Sequence, residues 1–190
     1  MLPLATVNYP SAVEQLLEDR LLPLGPGKPL TAKRAALEQL TTAQITGERH
    51  PTDDDMLACC LSGLWLWHDF LEESHRISQE VGTSSGSYWH GIMHRREPDF
   101  SNAKYWFRRV GGHPVMERLP EAISPLLADA PETKVSRALA GKAVWNSLLF
   151  VDLCSEFYEA GNAEEELCRR IATAEHRLLF DYCYRAALGE

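Results

Sequence analysis

The chain has few cysteines and no pattern that would pair them or bind a metal through them. Its 190 residues include five cysteines, an odd number, and no CxxC motif. Each cysteine lies within an apolar helical pattern. We therefore expect neither a disulfide framework nor a cysteine-ligated zinc site. We expect five reduced, buried thiols, at Cys59, Cys60, Cys154, Cys168 and Cys183.

Long hydrophobic runs and a basic leader are also missing. The first residues, MLPLATVNYPSAV, contain no positive charge and no continuous apolar stretch, which argues against a signal peptide. The apolar run MLACCLSGLWLW stops at His68 and Asp69, short of the length that spans a membrane. We therefore expect a cytoplasmic protein without a membrane partner.

Three motifs of known chemistry are absent, and so are strand patterns. The sequence has no GxSxG, no Walker loop and no GxGxxG between a strand and a helix. Alternating runs of β-branched residues are missing, whereas helical periodicity recurs along the chain. The length and the 45% hydrophobic content suit one domain with a core. We predict an all-α fold, a single-domain helical bundle or array of six to eight helices over residues 1–190.

Positive charge is scarce overall but concentrated in one segment. The net charge is −8 and the isoelectric point is near 5.4, which disfavours a nucleic-acid partner. Residues 86–113 nevertheless carry +3, so the remainder carries −11. A positive segment in an acidic protein suits a small anion. The alternative is that these arginines pair with acidic residues elsewhere in the fold.

Capping and breaking residues divide the chain into helical segments. Residues 1–30 form a peripheral N-terminal segment, with Ser11 and Glu14 as a capping box. A helix over 32–45 is followed by one long helix over 53–80, and residues 53–115 form the segment that we expect to carry the site. Ser87 and Ser101 are the expected caps of two short helices, ended by Pro98 and Gly111. A further segment starts at Pro114 and is expected to be interrupted by prolines. The chain then ends with two long helices, over 135–160 and 163–187, which Gly161 and Asn162 separate.

One stripe of the predicted 53–80 helix changes from apolar to polar along its length. Leucines at helical spacing give way to His68, Glu72, His75 and Gln79. His68 and His75 are seven residues apart and would point the same way. Either the helix emerges into water there, or it lines a polar pocket whose groups are paired. We favour the pocket, with a histidine as acid or base and either Glu72 or Glu97 orienting it.

The next short helix places two histidines and a carboxylate on one face. His90 and His94 are at i and i+4, and Glu97 follows at i+7. This is the spacing of metal ligands, but the residues between the histidines are GIM, so the zincin motif HExxH is absent. If histidines of the long helix converge on this pair, the set suits Zn, Fe or Mn. The alternative is two histidines that hold a loop–helix junction through hydrogen bonds.

Arginine and aromatic residues flank these histidines. Asn102, Trp106 and Arg109 share one face of the following helix, and Tyr105 lies on a neighbouring face. Arginine binds carboxylate or phosphate, and an adjacent aromatic ring can stack on it or on a ligand. We expect Arg96 and Arg109 to hold negative charge and Trp89, Tyr105 and Trp106 to form walls. The alternative is an aromatic core stripe with arginines reaching solvent.

A resemblance covers about two thirds of the chain. The central run, residues 68–115, is similar to a family of bacterial and fungal helical proteins in which close variants recur of GSYWHGIMHRREPDFSNAKYWFRRVG. The C-terminal FVDLCSEF and LLFDYCYRAA are similar too. The family has no assigned activity and therefore implies no catalytic residues. It indicates only that the central segment is where a site should be sought.

Two functional hypotheses remain open from the sequence. The first is a protein or enzyme that binds a small polar or anionic molecule in a histidine-rich, arginine-flanked pocket, with or without a divalent metal. A metal would activate water as a Lewis acid. The second is a non-catalytic protein in which the same segment is a buried packing network or a docking surface for an acidic partner.

Overall fold

The fold is all-helical across the part of the chain that the structure describes. A computed structural model describes residues 7–190. The all-α prediction is confirmed, but the described residues form eleven helices, more than the six to eight expected. None of these helices is long and apolar enough to cross a membrane. The helices are α1 (Ser11–Leu16), α2 (Thr31–Glu38), α3 (Thr42–Thr46), α4 (Asp54–Trp67), α5 (Leu71–Ser78), α6 (Ser84–Arg96), α7 (Phe100–Val110), α8 (Pro114–Asp129), α9 (Lys134–Leu139), α10 (Ser147–Phe157) and α11 (Ala163–Ala187).

The predicted long helix over 53–80 is wrong, because the chain turns sharply after Trp67. His68 ends α4, and Asp69 adopts a left-handed backbone with φ of 65°. The Asp69 carboxylate is buried and accepts from Arg20 at 2.8 Å and from Arg96 at 2.6 Å. These two ion pairs hold the turn. His68 and His75 therefore lie on different helices and do not share a face.

Two other predicted helices are also divided. The 32–45 segment forms α2 and α3, with a capping box at Thr41 that starts the second helix. The 135–160 segment forms α9 and α10, and the Asn146 side chain caps the latter. Conversely, α8 runs without interruption through Pro120 and Pro125. Short connections that reverse the chain have only weak local sequence patterns. Helical periodicity alone therefore predicted one continuous helix where the chain forms two.

Helix boundaries near the predicted site shift by a few residues. Thr83 caps α6 and Asp99 caps α7, where Ser87 and Ser101 were expected. At the other end of the chain, Pro10 precedes α1 and the expected cap at Ser11 makes no side-chain hydrogen bond. The end of α7 at Gly111 and the N-cap of α11 at Asn162 are as predicted, but α10 ends at Phe157, before the expected stop at Gly161.

The core is built around α6, in which every residue from Ser85 to Arg96 is buried. Helices α4, α5 and α7 pack on it, and α11 packs on α4 and α8. The α4–α6 approach is close, since a β-carbon at Gly63 would lie 2.8 Å from the Trp89 ring. The described part of the N-terminal segment also contributes: Leu22 and Leu24 are buried in the core.

Candidate metal site

Three histidines from two helices converge at the junction of α5 and α6. One potential ligand atom from each of His75, His90 and His94 lies within 4.8 Å of the other two. His90 and His94 are one turn apart on α6, and their ring centroids are 4.8 Å apart. Packing of α5 on α6 brings the His75 ring to 4.7 Å from His90 and 5.3 Å from His94. Local spacing supplies two of the ligands, and tertiary packing supplies the third.

A carboxylate at the end of α6 fixes the tautomer of His94. Nδ1 of His94 lies 3.0 Å from Oε2 of Glu97. Because a carboxylate only accepts, Nδ1 carries the proton and Nε2 carries the lone pair. A carboxylate on the far nitrogen of a ligating imidazole is the usual outer partner in metal sites. The Glu97 side chain is 43% exposed, so the site lies close to the surface.

An amide from α7 lies against the same ring. Nδ2 of Asn102 is 3.1 Å from Nε2 of His94 and 3.5 Å from Nδ1. A donor in line with the in-plane lone pair of Nε2 would be much farther than 3.5 Å from Nδ1. The amide nitrogen is close to both ring nitrogens, so it lies over the face of the His94 ring. This is an N–H contact with the π system, and it leaves the in-plane lone pair of Nε2 available.

Burial keeps the α6 histidines neutral. Desolvation, together with the smaller effect of the nearby His94 and His75 rings, lowers the pKa of His90 to about 3. Desolvation also lowers the pKa of His94 below its ordinary value, although Glu97 opposes the shift. Nδ1 of His90 is buried and has no hydrogen-bond partner among the described residues. At pH 7 both rings offer lone pairs.

Trp106 of α7 covers the triad from one side. Its ring stacks on His90 with centroids 3.9 Å apart and planes 19° apart. The Arg109 guanidinium lies 5.2 Å from the same indole, and Tyr105, half exposed, packs edge-on against it. Trp106 is therefore in contact with the triad, whereas the Arg109 guanidinium contacts Trp106 and not the histidines.

The donor set fits a divalent metal after a small closure. In a tetrahedral zinc site, nitrogens lie about 2.0–2.1 Å from the ion and about 3.4 Å from one another. A triangle of nitrogens with 4.8 Å sides has its centre about 2.8 Å from each, so each ring must move by at most about 0.8 Å. His75 is only partly buried, whereas His90 and His94 are buried. Three neutral imidazoles then leave a fourth position open.

Apart from the arginines, three predicted site residues are not brought into this cluster. His68 is fully buried beyond the α4 turn, with both ring nitrogens unpartnered among the described residues. Trp89 faces the opposite side of α6, where it packs edge-on against His176 at 4.7 Å. Glu72 is exposed on α5, and its carboxylate is not among the groups within 4.8 Å of the histidines.

The arginine pair on α6 is structural. Arg96 is 2% exposed, pairs with Asp69 and donates to the backbone oxygen of Gly25 at 2.6 Å. Burial lowers its pKa to about 10, and Asp69 opposes the shift. Arg95 pairs with the fully buried Glu175. The alternative reading of the positive segment, pairing with acidic residues elsewhere, is therefore the correct one for these two arginines.

A serine–histidine pair that the sequence did not reveal lies near the start of α6. Oγ of Ser85 is 3.1 Å from Nε2 of His113. The backbone N–H of Val115 donates to Nδ1 of His113 at 3.2 Å, so the proton sits on Nε2 and is donated to the serine. In that tautomer His113 cannot take the serine proton. The pair is a structural contact, and no local signal links residues this far apart.

Three cavities lie elsewhere on the molecule. One of about 440 Å³ is lined by Tyr9, Arg49 and Tyr184 among others. Two more, of about 200 and 560 Å³, share Pro120 and Leu139. None of the three is lined by the histidine triad, which forms a compact side-chain cluster beside the surface.

Comparison with known proteins leaves the chain without an assigned relative. No family model matches the sequence. No curated protein and no solved structure matches it either.

Proposed function

We propose that the protein binds one divalent transition-metal ion through His75, His90 and His94 and uses it to hold a small polar or anionic ligand. The observation that supports this most directly is the convergence of three imidazoles within 4.8 Å of one another. Glu97 in contact with His94 supplies the outer partner that such sites use.

The chemistry of the donor set narrows the choice of metal. Imidazole suits zinc and iron, whereas manganese prefers carboxylate and water ligands. Zinc is the first choice, and iron is the second. Because the three ligands are neutral, the ion keeps its full charge of +2, which favours an anion or an ionisable water in the open position.

The open position gives the site the chemistry of a water-activating centre. Three protein ligands and one exchangeable position are the arrangement of catalytic zinc, which lowers the pKa of its bound water to about 7. In this proposal Glu97 holds His94 in the correct tautomer and Trp106 shields His90. The imidazoles act as ligands and not as the acid or base that the sequence favoured.

Metal analysis of untagged protein tests this function. We expect about one equivalent of zinc or iron after purification without chelator, and high-affinity zinc uptake by the chelator-treated protein in calorimetry. His90→Gln and His75→Gln should abolish uptake while the helical circular dichroism persists. His50→Gln is the matched control, since His50 is exposed on a distant loop. Less than about a tenth of an equivalent, together with no zinc uptake, would rule out the metal function.

A second candidate function has one observation in its favour. The His75 ring packs edge-to-face against His90 and His94, and His90 stacks on Trp106, as core aromatic residues do. A metal-free packing network that fixes α5, α6 and α7 would show the same contacts. It predicts a large stability loss in His90→Gln and no zinc-induced rise in the melting temperature of the wild type.

A further inference from the structure

We propose that Asn102 donates a hydrogen bond to the exogenous ligand on the metal, and that this ligand is a small oxyanion. This inference rests on the metal site proposed above and adds to it a residue and a ligand class. Asn102 lies outside the triad, on α7, and the sequence identified it only as a neighbour of Trp106 on one helix face.

The position of the amide relative to His94 carries the proposal. Nδ2 of Asn102 lies over the ring face, 3.1 Å from Nε2. Consider an ion in the plane of the His94 ring, about 2.0–2.1 Å from Nε2. The directions from Nε2 to this ion and to the Asn102 amide are about perpendicular, so the ion would lie about 3.7 Å from the amide nitrogen. That separation is too long for coordination. It is the right length for a donor to an oxygen atom bound to the ion.

Asn102 is free to make this bond. Its amide lies over the His94 ring and also beside the Asp99 carboxylate, which accepts from the Asn102 backbone N–H at 3.1 Å. A side-chain amide has two N–H donors, so one is left for the metal-bound oxygen. An N–H over an imidazole face is a weak interaction, so giving it up for a charged oxygen is favourable. The residue is partly buried, and it contacts the same His94 ring as the exposed carboxylate of Glu97.

Charge selects the class of ligand. Imidazole ligands bring no charge to a bound divalent ion. Among the described residues, the carboxylate that is hydrogen-bonded to the triad is that of Glu97, and it contacts the far nitrogen of His94. An anion in the open position therefore meets a cationic centre and, beside it, one N–H donor. A carboxylate or a comparable oxyanion offers a metal-bound oxygen that accepts this bond.

The test measures anion binding to the cobalt-substituted protein. Cobalt(II) replaces zinc in the chelator-treated protein, and acetate or thiocyanate is titrated while the visible absorption of cobalt is recorded. Acetate binds through an oxygen that accepts a hydrogen bond, whereas thiocyanate binds through a nitrogen with little acceptor capacity left. In Asn102→Ala we expect acetate affinity to fall by about tenfold or more and thiocyanate affinity to stay within about twofold.

Two further variants make the result decisive. Asn102→Asp preserves shape but removes the donor and adds negative charge, so it should bind acetate more weakly still and cobalt more tightly. Asn8→Ala is the matched control, because Asn8 is exposed beside a different cavity. Cobalt uptake with unchanged acetate affinity in Asn102→Ala and Asn102→Asp would overturn the role of Asn102 alone. Failure of the wild type to bind cobalt would overturn the metal site itself.

Discussion

Replacement of Glu175 by glutamine tests the conclusion that the Arg95 side chain belongs to the core and not to a ligand pocket. Glu175 is completely buried and accepts from Arg95 and, at 3.0 Å, from the Tyr88 hydroxyl. Burial tends to lower the pKa of Arg95, but the Glu175 carboxylate outweighs it and raises that pKa above its ordinary value. The guanidinium therefore stays charged inside the protein and depends on this partner.

The magnitude follows from the loss of one buried partner. Glu175→Gln leaves a cation that is 2% exposed without a counter-charge, which costs about 3–5 kcal/mol. For a chain of this size, each kcal/mol lowers the melting temperature by about 2–4 °C, so we expect a drop of about 6–20 °C. Thermal and urea unfolding at pH 7, followed by circular dichroism, measure it. Arg95→Met together with Glu175→Leu should recover most of the loss, since neither charge then remains buried.

An exposed pair serves as the control for this experiment. Glu132 and Arg137 are 3.3 Å apart with side chains 79% and 60% exposed, so Glu132→Gln should leave the unfolding midpoint unchanged. If Glu175→Gln also unfolds at the wild-type midpoint, Arg95 has access to water or another partner, and its assignment to the core is wrong.

Three further predictions concern the same helices. In the presence of a chelator, His90 alone should make the wild type about 2 kcal/mol less stable at pH 5 than at pH 7. The reason is that His90 binds a proton below about pH 6.5 in the unfolded state but only below about pH 3 in the folded state. Urea unfolding at several pH values measures this, and the free energy of unfolding should depend less steeply on pH in His90→Asn. Gly86→Ala should destabilise the protein strongly, because a β-carbon there would collide with the Val81 backbone oxygen, whereas Gly82→Ala meets nothing within 4 Å and should not. Glu97→Gln should weaken zinc binding by about 10–100-fold in calorimetry without loss of secondary structure.

Local spacing was sufficient to predict the α6 half of the candidate site. His90 and His94 at i and i+4, with Glu97 one turn later, are close in any helix, and the structure places them close together. The all-α class was predictable for a similar reason, because helical periodicity depends only on neighbouring residues. Trp106, which we expected to form a wall of the site, stacks on His90.

Non-local interactions decided what spacing could not. Asp69 breaks the predicted long helix because its carboxylate pairs with Arg20 and Arg96, which lie 49 and 27 residues away. The break separates His68 from His75, and only the latter reaches the triad through packing of α5 on α6. Helical periodicity depends on neighbouring residues and contains no information on such long-range ion pairs. A polar residue in a turn is therefore taken for the next residue on the face of a continuous helix.

The ion pairs of the arginines are also formed with residues far away in the sequence. A local count of positive charge cannot tell whether the partner carboxylate lies elsewhere in the sequence. Glu175 of α11 is 80 residues from Arg95, and burial makes that pairing obligatory. Arg109, which has no carboxylate partner among the described residues, is the arginine of the predicted set that stays at the surface near the site.

Anomalous X-ray diffraction from crystals of untagged protein grown with zinc tests the metal site most directly. Data collected on both sides of the zinc absorption edge should give one strong difference peak, about 2.0–2.1 Å from one ring nitrogen of each of His75, His90 and His94. If the difference map is empty at that point while the three rings keep their packed arrangement against Trp106, the histidines form a packing network and the protein does not bind zinc there.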